Sequence, residues 1–298
     1  MMDTFTWCGY EWIKQERWGK IHPDKPQWWY DESCSFLDDK EHLHLITKYN
    51  PKYFNEINGT SSIGAGLVSC TEKFKHGYYS IDAKLPYGYN LWPAFWMWGC
   101  DSWPPEIDIF EGYSDNKPNF LKFRILNPFG FRNIQTNLHY TKDGKNKMVG
   151  SKTHFFSFKD PTKHFIKYSV EWTKDFVKFY YNNRLVRTID DVRIMNQLNS
   201  TSMNVIINNG ITSDFNTKNV INSDFIIRNF TYIKYWNKVI KNNIIYMFCA
   251  PDPNIVVMGG PLSQPQVCWN PFLPLDKSIV RKLKIKRIWK ESVKNQIL

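Results

Sequence analysis

The stretch Glu106-Ile107-Asp108-Ile109-Phe110-Glu111 places three carboxylates within six residues and fills the gaps with apolar side chains. Two carboxyl groups held close together can divide the work of cleaving a glycosidic bond. One protonates the leaving oxygen, and the other serves as nucleophile or as base for water. Mutual repulsion raises the proton affinity of one acid, which a proton donor working near neutrality requires. Successive side chains of a strand point to opposite faces, so Glu106 and Asp108 share one face and Ile107 and Ile109 the other. Strict alternation would send Glu111 to the apolar side. One extra residue, a β-bulge near Phe110, would return it to the other two acids. A row of like charges on one face is costly, and a purely structural strand has no reason to carry it.

Two neighbouring stretches are expected to frame the acids. Leu91–Trp98 alternates so that Trp92, Ala94, Trp96 and Trp98 share a face, with Phe95 and Met97 opposite. Trp103 follows in a loop from Gly99 to Pro105. The flat apolar faces of sugar rings pack on indole, whereas tryptophan elsewhere is mostly core. Beside the three acids, Trp92, Trp96 and Trp103 read as a sugar platform. In Phe131–Tyr140, alternation groups Gln135, Asn137 and His139 against Thr136, Leu138 and Tyr140.

These residues resemble glycoside hydrolase family 16. Glu-Ile-Asp-Ile-Phe-Glu matches its E-x-D-x-x-E signature in the bulged, laminarinase-like form. Leu-Trp-Pro-Ala-Phe-Trp-Met at 91–97, Gly77–Pro86, His139-Tyr140, Glu171-Trp172-Thr173 and Phe225 to Tyr235 are similar to further conserved-order segments of that family, covering about residues 5–238. The resemblance implies a concanavalin-like β-jelly-roll of two curved antiparallel sheets, with a cleft across the concave one. It also implies endo-acting hydrolysis of a β-linked polysaccharide with retention: a β-1,3- or β-1,3/1,4-glucan, or a galactan such as agar, porphyran or carrageenan. By position, Glu106 is then the nucleophile, Glu111 the general acid/base, Asp108 the nucleophile's helper, and His139 a neighbour of the acid/base. A transglycosylase, or a jelly-roll that binds carbohydrate without cleaving it, shares the same framework. No cofactor is required. The family allows a structural calcium on the convex face, but no ligand set for it can be matched in this sequence. Ser80 and Asp82 stand where an acidic and a basic residue are expected, and Pro105 precedes Glu106 where a glycine is expected.

The rest of the chain reads as many short strands separated by turns, which indicates an antiparallel all-β sandwich or barrel. The expected strands are His42–Thr47, Ala65–Thr71, Gly77–Leu85, His164–Trp172, Phe176–Tyr181, Leu185–Ile189, Met203–Asn208 and Phe225–Trp236, with a hairpin turn at Asn182-Asn183. Residues 1–40, rich in Trp and broken by Pro23 and Pro26, read as irregular. Thr141–Lys152 reads as a polar loop, and no helical period is sustained before residue 238. Residues 1–238 form the expected catalytic domain, and 239–298 a loop-rich, basic C-terminal extension packed on it. Asn58-Gly59-Thr60 fits the glycosylation pattern.

The net charge is +11, of which residues 239–298, with 9 Lys+Arg and 3 Asp+Glu, hold +6. That excess is a solvated face by default, and no nucleic-acid partner is expected. The six cysteines (Cys8, Cys34, Cys70, Cys100, Cys249 and Cys268) lack CxxC spacing, which argues against zinc and for free buried thiols. No run approaches transmembrane length. Met1–Tyr10 lacks a charged segment followed by an apolar one, so no signal peptide is read and the compartment stays open. The expected partner is a polysaccharide, and the expected state a monomer.

Overall fold

The computed structural model describes residues 4–16, 19, 21–22, 25–49, 63–88, 91–113, 133–150, 152–153, 159–211, 223–234, 239–241 and 244–246. The strands in chain order are β1 (Thr4–Trp7), β2 (Tyr10–Ile13), β3 (Ile21–His22), β4 (Lys25–Tyr30), β5 (Ser35–Leu37), β6 (Leu43–Tyr49), β7 (Ile63–Ala65), β8 (Leu67–Cys70), β9 (Gly77–Lys84), β10 (Leu91–Gly99), β11 (Glu106–Tyr113), β12 (Asn133–Lys142), β13 (Lys145–Met148), β14 (Lys152–Thr153), β15 (Ile166–Trp172), β16 (Val177–Tyr181), β17 (Arg184–Ile189), β18 (Met203–Ile211) and β19 (Ser223–Lys234). A helix, α1 (Val192–Ser200), separates β17 from β18.

Two sheets result. One runs β1-β2-β8-β18-β10-β11-β12-β13, with β14 also on β12. The other runs β17-β16-β15-β9-β19-β6-β7-β4-β3, with β5 also on β6. Pairing is antiparallel except between β4 and β7. The inward side chains of both sheets alternate along their strands and meet in one core. Phe95, Met97, Ile107, Leu138, Val205 and Ile207 come from the first sheet, and Tyr79, Ile81, Val170, Phe179 and Phe225 from the second. Burying such aliphatic and aromatic side chains is worth about 1.5–3 kcal/mol each, and it sets which face of every strand turns inward. This is the jelly-roll sandwich that the resemblance implies, and one of the two architectures that the strand pattern allows.

The chain divides into two compact units, Met1–Lys234 and Tyr235–Leu298. In the second, β20 (Val239–Lys241) pairs antiparallel with β21 (Ile244–Tyr246). Asn58-Gly59-Thr60, Cys249, Cys268 and the basic run 277–294 lie outside the described residues, as does the expected strand start at Phe131.

Four expectations need correction. Among the described residues, the leading segment contains five strands, and Trp7 and Trp12 are in the core. The tight turn at Cys8-Gly9, both with positive φ, folds β1 back on β2. Thr141–Lys152 is no open loop: β12 runs to Lys142, turns at Asp143-Gly144 and returns as β13. Both turn residues have positive φ, the geometry of a two-residue hairpin. The strand expected at Ala65–Thr71 breaks at Gly66, where an added Cβ would lie 2.4 Å from the Cys34 carbonyl oxygen. Finally, α1 is a real helix before residue 238. Asp191 caps it by accepting from the Arg193 and Ile194 amides, and Ile194, Met195 and Leu198 form its buried face. The Asn182-Asn183 turn is present as expected, with φ of 50° and 64°.

Ser80 is buried on β9, and Asp82 lies 3.7 Å from the Arg228 guanidinium and accepts from Asn229. The partners of Asp82 thus come from β19. Cys34 and Cys70 are buried free thiols, whereas Cys8 and Cys100 are free but partly exposed. Among the described residues no helix is long and apolar enough to cross a membrane.

Candidate active site

The site is built on β11, an interior strand between β10 and β12. Against β12, Glu106 faces His139, Asp108 faces Asn137, and Glu111 faces Gln135. Between the last two pairs, Ile109 and Phe110 together oppose the single residue Thr136. That is a β-bulge, with one extra residue on the bulged strand. Its effect on side chains is direct. Ile107, Ile109 and Phe110 all point into the core, and Glu111 returns to the face of Glu106 and Asp108. The core draws Ile109 and Phe110 inward together, and the bulge is the backbone solution that satisfies both. Phe110 packs against Tyr168 at 4.3 Å between ring centroids and edge-on to Phe225 at 5.9 Å.

On the other side, Trp98, Trp96 and Ala94 stand opposite Glu106, Asp108 and Glu111. The acids, Gln135, Asn137, His139, Trp92, Trp96 and Trp98 therefore share the sheet face turned away from the core. Trp98 is buried there with Leu67 and Ile206, and Trp92 and Trp96 lean on that cluster.

The indoles are tied down. Trp92 Nε1 donates to Glu111 Oε1 at 3.0 Å, and Trp103 Nε1 donates to Glu106 Oε2 at 2.5 Å. Trp96 Nε1 donates to Asn208 Oδ1 at 2.8 Å. Asn208 comes from β18, and nothing in the sequence pattern singled it out. Trp103 itself is 46% exposed, so part of its side chain is open to solvent.

His139 differs from expectation. It does not neighbour Glu111, whose partner across the ladder is Gln135. Its Nε2 lies 3.6 Å from Glu106 Oε1 and 3.6 Å from Asp108 Oδ2. The reason is register: His139 pairs with Glu106 at the start of β11, four positions along β12 from Gln135. Trp103 covers His139 at 5.7 Å between rings, and Asn146 Oδ1 lies 3.4 Å from His139 Nδ1. Asn137 donates from Nδ2 to the Met148 sulfur at 3.2 Å. Asn146 and Met148 belong to β13, inside the stretch expected to be a polar loop.

Among the described residues, the one group of three acidic or histidine side chains able to converge on an ion is Glu106, Asp108 and His139, with ligand atoms within 4.8 Å of one another. Calcium takes six to eight oxygens, which this trio does not supply. It brings two carboxylates and an imidazole into one small patch.

The family model described as Glycosyl hydrolases family 16 matches residues 24–223. The chain belongs to this family. Endo-1,3-1,4-beta-glycanase EglC of Rhizobium meliloti is 23% identical over 196 residues, 56% of this chain and 38% of its own length. Endo-1,3-1,4-beta-glycanase ExsH of the same organism is 25% identical over 138 residues, 45% of this chain and 26% of its own length. The family 16 chain thus spans well under half of these relatives. Beta-1,3-glucan-binding protein of Penaeus monodon is 33% identical over 148 residues, covering 46% of this chain and 37% of that protein. In fold, the family 16 chain is similar to a Bacteroides ovatus mixed linkage glucan GH16 in complex with a product, with TM-score 0.58, 18% identity and coverage of 78% and 97% of the two chains. It is also similar to the laminarinase catalytic domain of Thermotoga maritima, with TM-score 0.53, 20% identity and coverage of 70% and 84%.

Proposed function

We propose that this chain is an endo-acting glycoside hydrolase that cleaves a β-1,3- or mixed-linkage β-1,3/1,4-glucan with retention of configuration. One observation carries the reading. Glu106, Asp108 and Glu111 share the face of an interior strand that turns away from the core, and the bulge that seats Ile109 and Phe110 inside also brings Glu111 to that face. Glu106 attacks the anomeric carbon and forms a glycosyl-enzyme bond. Glu111 gives its proton to the departing glycosidic oxygen, then takes one from the water that hydrolyses the intermediate. Trp103 orients Glu106 through its Oε2, and Trp92 orients Glu111 through its Oε1. His139 braces Glu106 from its other side, standing between Glu106 Oε1 and Asp108 Oδ2. Trp92, Trp96 and Trp103 offer ring faces to the sugar chain, and Gln135, Asn137 and His139 supply polar contacts. The glucan preference is supported by the names of the relatives, which act on or bind β-1,3- and β-1,3-1,4-linked glucans.

The measurement is release of reducing ends from laminarin, mixed-linkage glucan, agarose, porphyran and carrageenan. Glucans are expected to be cut, and the first-formed anomer seen by NMR is expected to be β. Cleavage of a galactan alone would move the substrate assignment. Glu106→Gln is expected to lose at least roughly a thousandfold in kcat with an unchanged melting temperature. The second reading is a glucan-binding protein without turnover, which the Penaeus monodon relative suggests. Glucan binding without new reducing ends would establish it. Retention of both Glu106 and Glu111 favours the enzyme.

A further inference from the structure

The bulge that lines up the acids also interrupts the ladder. Ile109 is the one residue of β11 matched to neither neighbour: it is skipped between Asp108 and Phe110 facing β10, and again between Asp108 and Glu111 facing β12. A bulge leaves its extra residue outside the ladder, and a buried carbonyl there needs a donor.

That donor comes from the other sheet. Tyr181, the last residue of β16, donates its hydroxyl to the Ile109 carbonyl oxygen at 3.2 Å and also reaches the Gln135 carbonyl oxygen at 3.5 Å. Gln135 is the residue facing Glu111. Next to it, Arg187 of β17 donates from Nη1 to the Thr136 carbonyl oxygen at 2.8 Å and to Thr136 Oγ1 at 3.4 Å. Thr136 is the residue the bulge is built across. Two side chains from one edge of the second sheet thus grip the bulge and its opposite strand from beneath. The rings continue the contact. Tyr181 meets Tyr168 edge-on at 5.3 Å, and Tyr168 meets Phe110 at 4.3 Å. Burial holds the Tyr181 hydroxyl neutral and donating, far above the usual phenol range.

We infer that Tyr181 is a positioning residue for Glu111, acting through the Ile109 carbonyl to fix the bulge and so the direction of the carboxylate two residues on. The inference rests on Glu111 being the acid/base. Glu106 precedes the bulge and is held by Trp103 and His139, so losing the Tyr181 hydroxyl leaves the nucleophile in place. Without that donor, the peptide after Ile109 is free to rotate toward another partner, and Glu111 swings with it. The damage falls on proton transfer and not on sugar binding.

The test is Tyr181→Phe, which keeps the ring and removes the hydroxyl. On mixed-linkage glucan, kcat is expected to fall roughly 10- to 100-fold, the scale of a misplaced catalytic group, with KM within about twofold. First-turnover release of a good aryl leaving group needs no proton and is expected to fall less than about threefold. Val170→Ala, a truncation in the same core on β15, controls for destabilisation alone. If Tyr181→Phe does not fold, Arg187→Met carries the test, with the same leaving-group bias in weaker form. Equal losses on both substrates, or a loss no larger than that of Val170→Ala, would overturn the inference. Glu111→Gln separates the two readings. If it stays active, the acid/base assignment fails. If it is dead while Tyr181→Phe is fully active, only the role of Tyr181 fails.

Discussion

Trp92 and Trp103 each commit their single hydrogen-bond donor to a carboxylate, Glu111 in one case and Glu106 in the other. An indole that only stacked on sugar would be replaceable by phenylalanine at a modest cost in binding. An indole that orients a catalytic carboxylate would not. A hydrogen bond to a charged group is worth about 1.5–3 kcal/mol, so Trp103→Phe is expected to lower kcat by roughly 10- to 100-fold while KM moves little. Steady-state kinetics on a soluble glucan checks this, and a pure KM effect would return Trp103 to the platform. Trp96→Phe, which breaks a bond to Asn208 instead, is expected to act mainly on KM. At this scale the sequence was informative where periodicity decides. Alternation grouped Glu106 with Asp108, and Gln135 with Asn137 and His139, and a bulge was needed to add Glu111. It was silent on the indole bonds, on Asn208 and on Tyr181, because those depend on which distant strand lies alongside.

At the scale of elements, the loop between β10 and β11 is as constrained as the strands it joins. Gly99 is the hinge point. Its amide donates to the Pro105 carbonyl oxygen at 2.8 Å, and an added Cβ would stand 2.6 Å from the Ser102 carbonyl oxygen and 3.1 Å from Pro105 Cδ. Gly99→Ala must therefore displace the segment that carries Trp103. Overpacking of this kind costs about 1–3 kcal/mol, and the expected signature is a lowered melting temperature together with a kcat loss like that of Trp103→Phe. A melting shift with intact kcat would show that the loop gives way without moving the indole. The missed elements had signals of their own. Asp191 followed by apolar residues at 194, 195 and 198 is a short capped helix. Asp143-Gly144 is a hairpin dipeptide, but the Lys145-Asn146-Lys147 that follows is polar and carries no face pattern to mark a returning strand. The bulge was legible because Ile109 and Phe110 are both apolar and both needed inside.

For the whole molecule, the core between the sheets is built to hold neutral groups. Burial pushes the Cys34 and Cys70 thiols from 9.0 up to about 12, and holds the Tyr168 and Tyr181 hydroxyls well above 10.0. Each folded value exceeds the unfolded one, so the neutral form is favoured by folding. This stability is fully present below about pH 9 and is lost as pH rises through the thiols' folded value of about 12. The melting temperature is expected to hold between pH 7 and about 9 and then decline. Tyrosine ionisation followed by absorbance should show the buried pair titrating only with unfolding.

Most active sites are assembled on mobile loops, which open before the rest of a protein does. Here the acids ride on β11, which has a strand on either side and the packed core behind it. Such strands are among the last parts of a fold to open to solvent. Heating is therefore expected to leave turnover intact up to the melting transition, and to abolish it there in one step. Activity and tryptophan fluorescence followed along the same temperature ramp should fall together. Amide exchange along β11 should be as slow as anywhere in the chain.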